Sequence, residues 1–145
     1  MKNRSLIKII PRRSFIFTSA LNHEMFSKAV KSNSDIVCLE LEDGVLPKDK
    51  LYARNTAIKI LRNNKISKNV EKLIRINSIR ESFGLLDVQA ILNSKCQPDG
   101  IMIPKVKNPE EIIILDNLFT EKKLETKFHV IIETNEGLEK AFDIA

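Results

Sequence analysis

Charged and polar side chains follow directly after the apolar runs of this sequence. Each of the five runs that resemble strands is followed by such residues: Thr18 and Ser19; Glu40, Glu42 and Asp43; Arg75 and Asn77; Lys105; and Glu133 with Thr134. Carboxylates are ligands that Mg²⁺ prefers, and an arginine can bind a substrate carboxylate through two parallel hydrogen bonds. A divalent cation beside a carbonyl stabilises a developing enolate as a Lewis acid. The set therefore suits metal-assisted chemistry that makes or breaks a carbon–carbon bond next to a carbonyl.

A purely structural interpretation exists for each of these residues taken singly. Asp43 can organise the turn that follows its strand. Arg75 and Lys105 can pair with Glu42 or Asp43 in a network of ion pairs along the rim. The structural interpretation weakens for the set as a whole, because four of the five strands deliver charges to the same end of the sheet.

Other kinds of site find little support in the sequence. The two cysteines, Cys38 and Cys96, lie 58 positions apart, and His23 and His129 do not form a metal-ligand cluster with them. Cys38 lies in the middle of an apolar run, so we expect it to be buried and unreactive. His129 also lies within a strand, where a packed or edge position is favoured over a catalytic one. The four glycines are isolated, which excludes a glycine-rich phosphate loop.

The elements that would position these residues alternate between strand and helix. The strands are expected at 15–17, 36–41, 72–76, 100–103 and 128–132, and helices are expected after Asn22 and over 48–61, 85–92, 109–118 and 137–144. Asn22 is a good N-cap residue, and Pro109 suits the first turn of its helix. The apolar stripes of the second, third and fourth helices are expected to include Leu51, Leu85 and Ile113. Strand-then-helix units in succession predict a parallel α/β sheet with both faces covered.

Two architectures are built from such units. A doubly wound sheet of five strands would be complete within 145 residues. An eight-stranded (β/α)₈ barrel typically needs about 250 residues, so the chain would supply only its first five strand–helix units. In both architectures ligands bind at the carboxyl ends of the strands, and hydrophobic periodicity does not distinguish the two.

Net charge and hydropathy exclude several classes of partner. The net charge is +5, but residues 1–13 hold five basic side chains and no acid, which leaves 19 basic and 19 acidic residues in 14–145. A neutral body argues against nucleic-acid binding, since such proteins carry their basic excess on the folded surface. We interpret 1–13 as a basic leader and strand entry, and 14–145 as the domain. Pro11 argues against an amphipathic transit peptide. No apolar run approaches the roughly 20 residues that span a bilayer, and the sparse cysteines suit a reducing, cytoplasmic location.

Five motifs, in order, resemble one known family. They are Arg12-Arg-Ser-Phe-Ile-Phe17; Leu39-Glu-Leu-Glu-Asp43-Gly-Val with Pro47-Lys-Asp-Lys50 and Ala53-Arg54; Ile74-Arg-Ile-Asn77 with Phe83-Gly-Leu-Leu-Asp87; Pro98-Asp-Gly-Ile-Met-Ile-Pro-Lys105-Val; and Ile132-Glu-Thr-Asn-Glu-Gly137. Together they resemble the citrate lyase beta-subunit and malyl-CoA lyase family of the HpcH/HpaI aldolase superfamily. The resemblance covers about residues 12–145.

The resemblance implies a (β/α)₈ TIM barrel and a Mg²⁺-dependent carbon–carbon lyase of the aldolase or retro-Claisen type. Its substrates would be acyl-CoA thioesters of hydroxy acids, such as citryl-, malyl- or citramalyl-CoA, or the keto acids derived from them. Arg75 and Glu133 would be catalytic and would bind substrate, together with Asn77 and Lys105. Glu133 would bind the metal, with Glu42 and Asp43 near its water ligands. Full-length members are expected to be homo-oligomers.

The sequence departs from the family pattern at three points. Glu40 stands where the family usually has Asp. Phe17-Thr-Ser-Ala20 replaces the usual apolar-Val-Pro-Gly of the first loop. The family's second metal-binding Asp follows a sixth strand, beyond the five read here, so we expect a C-terminally truncated barrel with impaired activity. The alternatives are a non-catalytic fragment or subunit that needs a separate C-terminal partner, and a flavodoxin-like binding domain.

Overall fold

The strand–helix alternation expected from the sequence is present in the computed structural model, which describes residues 12–62, 70–94 and 96–145. Asn22 caps the first helix as expected, since its side-chain oxygen accepts a hydrogen bond from the backbone N–H of Glu24 at 2.9 Å. The elements in chain order are β1 (Phe15–Ser19), α1 (His23–Lys31), β2 (Ile36–Glu40), a 3₁₀ turn (Pro47–Asp49), α2 (Lys50–Leu61), β3 (Glu71–Arg75), α3 (Ser82–Asn93), β4 (Gly100–Ile103), α4 (Pro109–Glu121), β5 (Lys127–Val130), α5 (Asn135–Glu139) and α6 (Ala141–Ile144).

The five strands form one parallel sheet in sequential order, β1-β2-β3-β4-β5. The register carries Phe17 opposite Cys38, Cys38 opposite Leu73 and Leu73 opposite Gly100. A flavodoxin-like sheet reverses its strand order at a switch point, and this sheet has no reversal within the described residues. The flavodoxin-like alternative is therefore wrong. The sheet is built as five successive units of a (β/α)₈ barrel wall.

The sheet has an apolar cluster on each face. The helix-facing cluster joins strand residues such as Leu39 and Ile74 to helix residues such as Phe26 and Phe119. The other face carries a smaller cluster of Ile36, Cys38 and Leu73, with Met102 packed against it. Successive side chains of a strand point to opposite faces, so the continuous apolar runs of the sequence supply both clusters.

Three expected core residues are exposed instead. Leu51, Leu85 and Ile113 are 64%, 61% and 57% exposed. In α2 the buried stripe runs through Ala53, Ala57 and Ile60, and Leu51 lies on the other side of the helix because two residues turn an α-helix by about 200°. The prediction, made from apolar character alone, that these side chains lie in the core is therefore wrong.

The basic leader is described only at its end, because residues 1–11 lie outside the described part of the chain. Arg12 donates two hydrogen bonds to the Glu71 carboxylate, at 2.7 and 2.8 Å. Arg13 donates to Asp35, which also accepts from the backbone N–H groups of Arg13 and Ser14. These contacts fix the entry to β1, and the division into 1–13 and 14–145 stays a prediction. Among the described residues, no helix has the length and apolar character needed to cross a membrane.

Candidate active site at the strand ends

The charged residues predicted to meet at one end of the sheet do so. Glu40 and Arg75 are the last residues of β2 and β3, and they are direct partners in the strand register. Lys105 follows β4 and Glu133 follows β5. The carboxyl ends of parallel strands share one edge of a sheet, and this is where such folds build their sites.

Arg75 is held by two carboxylates and an aromatic ring. Its Nε and Nη2 atoms lie 2.6 and 2.5 Å from the same oxygen of Glu40, Oε2. Its Nη1 lies 3.4 Å from Glu42 Oε2, and the guanidinium carbon lies 4.8 Å from the centre of the Phe17 ring. Burial disfavours the charged form, but the hydrogen bond and charge of Glu40 outweigh that cost and raise the pKa of Arg75. The guanidinium is therefore fixed in place, and its side chain remains 18% exposed.

Glu42 is a buried carboxylate that faces two cations. Its side chain is 4% exposed, and its oxygens lie 2.7 Å from Lys105 Nζ and 3.4 Å from Arg75 Nη1. Neither oxygen has a hydrogen bond of good geometry within the described residues. A buried charge is costly unless it is compensated, so the two cations explain how this carboxylate is tolerated.

Lys105 connects the loops that follow β2, β4 and β5. Its ammonium reaches Glu42 at 2.7 Å and Asp43 at 3.4 Å, and its backbone N–H donates to Glu133 Oε1 at 2.9 Å. The close contact of its ammonium with the Glu42 carboxylate raises the pKa of Lys105. The residue has a φ of 54°, an unusual conformation for a side chain other than glycine. The structural interpretation expected Arg75 and Lys105 to pair with Glu42 or Asp43: Lys105 contacts both, whereas Arg75 contacts Glu42 and, more closely, Glu40.

Asn77 lies beneath this network and is 3% exposed. Its amide nitrogen donates to the Leu41 carbonyl at 3.0 Å and to Asp87 Oδ2 at 2.7 Å. Its amide oxygen accepts a hydrogen bond from Lys50 Nζ at 2.6 Å. These contacts all lie within the protein, so Asn77 fixes the loop after β3, and its expected contact with substrate stays a prediction.

Three charged residues that the sequence reasoning quoted without assigning a role complete this buried layer. Lys50 Nζ also donates to the carbonyls of Leu41 and Glu42, at 2.7 and 2.6 Å, and burial lowers the pKa of its ammonium. Arg54 Nε donates to Asp87 Oδ1 at 2.6 Å. The signal was available, because Lys50, Arg54 and Asp87 all lie within the quoted motifs and project from helices that follow the strand ends.

A cleft of about 290 Å³ opens beside the network. Its polar lining includes Glu42, Asp43 and Lys105, and Leu46 and Phe83 contribute apolar surface. Arg75 and Glu133 are not among its lining residues; Glu133 is exposed and accepts a hydrogen bond from the backbone of the lining residue Lys105. The cleft places charged groups against apolar walls, which is typical of small-molecule sites.

The cysteines and histidines take no part in this arrangement. Cys38 and Cys96 are buried, and burial raises the pKa of both thiols. The His129 ring packs over Gly100 and lies 3.7 Å from Glu71, and burial lowers its pKa. These placements agree with the structural interpretation of Cys38 and His129.

The residues at the carboxyl ends of the strands supply only part of a ligand set for a divalent cation. In the described ranges, no three His, Cys, Asp or Glu side chains converge as a metal cluster. Glu42 faces ammonium and guanidinium groups, whereas Glu133 is exposed and, among the described residues, receives a hydrogen bond on Oε1 alone, from the Lys105 amide. Mg²⁺ is usually bound through one or two carboxylates, with waters and substrate oxygens filling its other positions. Glu133 therefore fits as one carboxylate ligand.

Comparison with known proteins finds relatives that match most of this chain. The chain is 32% identical over 137 residues to the human mitochondrial citramalyl-CoA lyase and 34% identical over 142 residues to an L-malyl-CoA/beta-methylmalyl-CoA lyase of Cereibacter sphaeroides. These matches cover 90% and 93% of this chain, but only 40% and 44% of the relatives.

A solved structure of similar fold is the citrate lyase beta subunit of M. tuberculosis complexed with oxaloacetate and magnesium. It matches with a TM-score of 0.71 and 25% identity, over 92% of this chain and 54% of that one. The family model described as HpcH/HpaI aldolase/citrate lyase matches residues 13–145, nearly the whole sequence. The resemblance seen in the motifs is thus confirmed, and the chain belongs to the HpcH/HpaI aldolase/citrate lyase family.

Proposed function

We propose that this chain provides the keto-acid-binding part of a Mg²⁺-dependent carbon–carbon lyase site that acts on acyl-CoA thioesters of hydroxy acids. The proposal is supported by the position of Arg75 and Glu133 at the carboxyl ends of β3 and β5, connected through Glu42 and Lys105. A guanidinium and an exposed carboxylate in one place can hold the two ends of a keto acid, one directly and one through a metal ion.

Arg75 is the residue that would bind the substrate carboxylate. A guanidinium has five donors, and Glu40 accepts the one on Nε, while Nη2 lies 2.5 Å from the same oxygen as an ion pair. The donors that remain on Nη1 and Nη2 form an edge suited to bidentate recognition of a carboxylate. Lys105, 43% exposed at its side chain, would add positive charge at the same place.

Glu133 is the residue that would hold Mg²⁺. The Lys105 amide fixes one of its oxygens and leaves the carboxylate exposed. When bound, the metal supplies Lewis-acid polarisation of the keto-acid oxygen. In the cleavage direction the substrate hydroxyl loses its proton, the carbon–carbon bond electrons pass to the thioester fragment as an enolate, and that carbon takes up a proton.

The substrate class is supported by the relatives, which are lyases of citramalyl-CoA and of L-malyl-CoA or beta-methylmalyl-CoA. The chain spans less than half the length of those two curated relatives, so the activity of a whole enzyme is a proposal here. The cytoplasmic location and the homo-oligomer also stay predictions. The human relative is named as mitochondrial.

A second candidate is a subunit whose site is completed by further strand–helix units from a separate polypeptide. A groove of about 350 Å³ lies beside β5, lined mainly by apolar residues that include Phe128, Val130 and Ile144. In the described part of the chain, no strand pairs with the outer edge of β5. Such a surface is favourable for packing another strand and helix.

Titration calorimetry with Mg²⁺ and oxaloacetate tests the proposed function. We expect weak, Mg²⁺-dependent binding, because Glu133 is a single carboxylate ligand, and we expect it to be lost in Glu133→Gln and in Arg75→Lys. Glu136→Gln, in the first turn of α5, and Arg80→Lys, in the loop after β3, are matched controls and should bind as the wild type does. Binding that survives both site substitutions would exclude Arg75 and Glu133 as the keto-acid site.

A further inference from the structure

We propose that Glu40 is a positioning residue that orients Arg75 for the substrate carboxylate. The proposal deepens the proposed function and rests on it, because it assigns the cause of the Arg75 orientation on which that function depends. Glu40 is 5% exposed and makes its contacts with other parts of the protein, so its role is exerted through Arg75.

The contact between the two residues restricts the guanidinium from one side. Glu40 Oε2 lies 2.6 Å from Arg75 Nε and 2.5 Å from Nη2. Hydrogen bonds between ionised partners are shorter and stronger than neutral ones. The Nε hydrogen bond and the close Nη2 contact to the same oxygen hold this edge of the guanidinium against Glu40.

The second oxygen of Glu40 anchors the carboxylate to the neighbouring turn. Glu40 Oε1 accepts the backbone N–H of Glu42, the residue that begins the acidic turn. A Cβ added at Gly44 would come within 2.9 Å of Glu40 Cγ, so the turn packs closely against the Glu40 side chain. One carboxylate thus sets the Arg75 plane and the path of the turn that carries Glu42 and Asp43.

The ring of Phe17 supports the guanidinium from another direction. The guanidinium carbon lies 4.8 Å from the centre of this ring, within the range of a cation–π contact. Phe15 lies beside Phe17, with 4.8 Å between ring centres, and limits the movement of that ring. With Glu40 at the edge formed by Nε and Nη2 and Phe17 against its face, the guanidinium leaves Nη1 on the side away from both, 3.4 Å from Glu42 Oε2.

A direct measurement of the Arg75 N–H group tests the positioning without any need for activity. In ¹⁵N-labelled protein the Nε–H signal of Arg75 is assigned by its loss in Arg75→Lys, and its exchange with water is measured. We expect exchange to accelerate roughly tenfold in Glu40→Gln, since a charge-assisted hydrogen bond becomes a neutral one, and to accelerate less in Glu40→Asp. Unchanged exchange in both variants would overturn the proposal.

Glu71→Gln is the matched control, because it makes the same substitution at the opposite end of the sheet, where Glu71 binds Arg12. We expect it to leave the Arg75 signal and oxaloacetate affinity unchanged. Circular dichroism of each variant shows whether it folds, and Glu40→Asp keeps the test decisive if Glu40→Gln does not.

Oxaloacetate titration in the presence of Mg²⁺ separates this proposal from the function on which it rests. We expect Glu40→Gln to weaken binding roughly tenfold. If the wild type binds and Glu40→Gln binds equally well, positioning by Glu40 is refuted and the proposed function stands. If the wild type binds no oxaloacetate, the proposed function fails and the substrate role of the Glu40 contact fails with it, whatever the exchange rates show.

Discussion

Arg54 and Asp87 form a buried ion pair, with 2.6 Å between Arg54 Nε and Asp87 Oδ1, that joins α2 to α3 beneath the strand ends. The two side chains are 7% and 1% exposed. The other oxygen of Asp87 accepts hydrogen bonds from the backbone N–H and the amide nitrogen of Asn77. The pair therefore supports the loop that follows β3, and with it the position of Arg75 at the end of that strand.

Breaking this pair should destabilise the fold strongly. We expect Asp87→Ala to lower the free energy of unfolding by about 3–5 kcal/mol, because it leaves the Arg54 charge buried without its partner. Urea denaturation followed by circular dichroism measures the change. Lys107→Ala removes an exposed ion pair to Glu136 and serves as the control, with an expected cost of at most about 1 kcal/mol. Equal costs for the two variants would show that the Arg54–Asp87 pair adds nothing beyond a surface pair.

Replacing Lys50 should also destabilise the fold. Lys50→Met keeps the length of the side chain but removes the donor that serves the carbonyls of Leu41 and Glu42 and the Asn77 amide. We expect a loss of about 1–3 kcal/mol, since removing one partner leaves buried acceptors unsatisfied. Lys48→Met, a change at an exposed lysine of the preceding turn, should be close to neutral in the same denaturation experiment. A neutral Lys50→Met would contradict the buried network.

Much of this arrangement follows from the sequence. The position of an apolar run fixes where a parallel strand ends, and this was enough to bring Glu42, Arg75 and Lys105 to one rim. The sequence was a poorer guide to which of these residues form ion pairs with one another. The sequence indicated that Arg75 would pair with Glu42 or Asp43, whereas its shortest contacts are to Glu40. Glu40 belongs to β2 itself, and register between strands, which decides that pairing, is a long-range property.

Glycine at position 84 is required by a close approach between α3 and the loop before it. A Cβ there would lie 2.1 Å from the Ser78 carbonyl oxygen and 2.6 Å from that of Asn77. We expect Gly84→Ala to destabilise the protein by about 1–3 kcal/mol, because the backbone must shift to relieve the overlap. Gln89→Ala, at an exposed position of the same helix, is the control. A melting temperature of Gly84→Ala equal to that of the control would refute the close approach.

The Asp35 carboxylate should make stability depend on pH in the acid range. Hydrogen bonds from the Arg13 side chain and backbone lower the pKa of Asp35 from 3.8 to about 2. A depressed pKa in the folded state gives stability that is present above pH 4 and is lost as the pH falls from 4 to 2. Asp35→Asn should be less stable at pH 7 and should show a smaller loss across that window. Acid unfolding curves that superimpose for the two proteins would contradict the assignment.

The charged residues buried beneath the rim could not be predicted from the pattern of apolar residues. Apolar periodicity places Leu51 in the core and has no means of placing Arg54 or Lys50 there, yet Leu51 is exposed and both cations are buried. The two cations are buried because each finds acceptors on a neighbouring element, Asp87 for one and the Asn77 amide for the other. Compensation of this kind depends on tertiary contacts, so no local pattern reveals it.

Lys105 holds Glu133 through its backbone N–H and Glu42 through its side-chain ammonium. The two contacts therefore differ in how well they tolerate substitution of Lys105. Any residue but proline at 105 retains the N–H group that holds the Glu133 carboxylate, provided that the backbone keeps its left-handed conformation. The ammonium beside Glu42 depends wholly on the side chain. Divergence at this single codon can therefore alter the electrostatics of the cleft while the Glu133 carboxylate stays where it is.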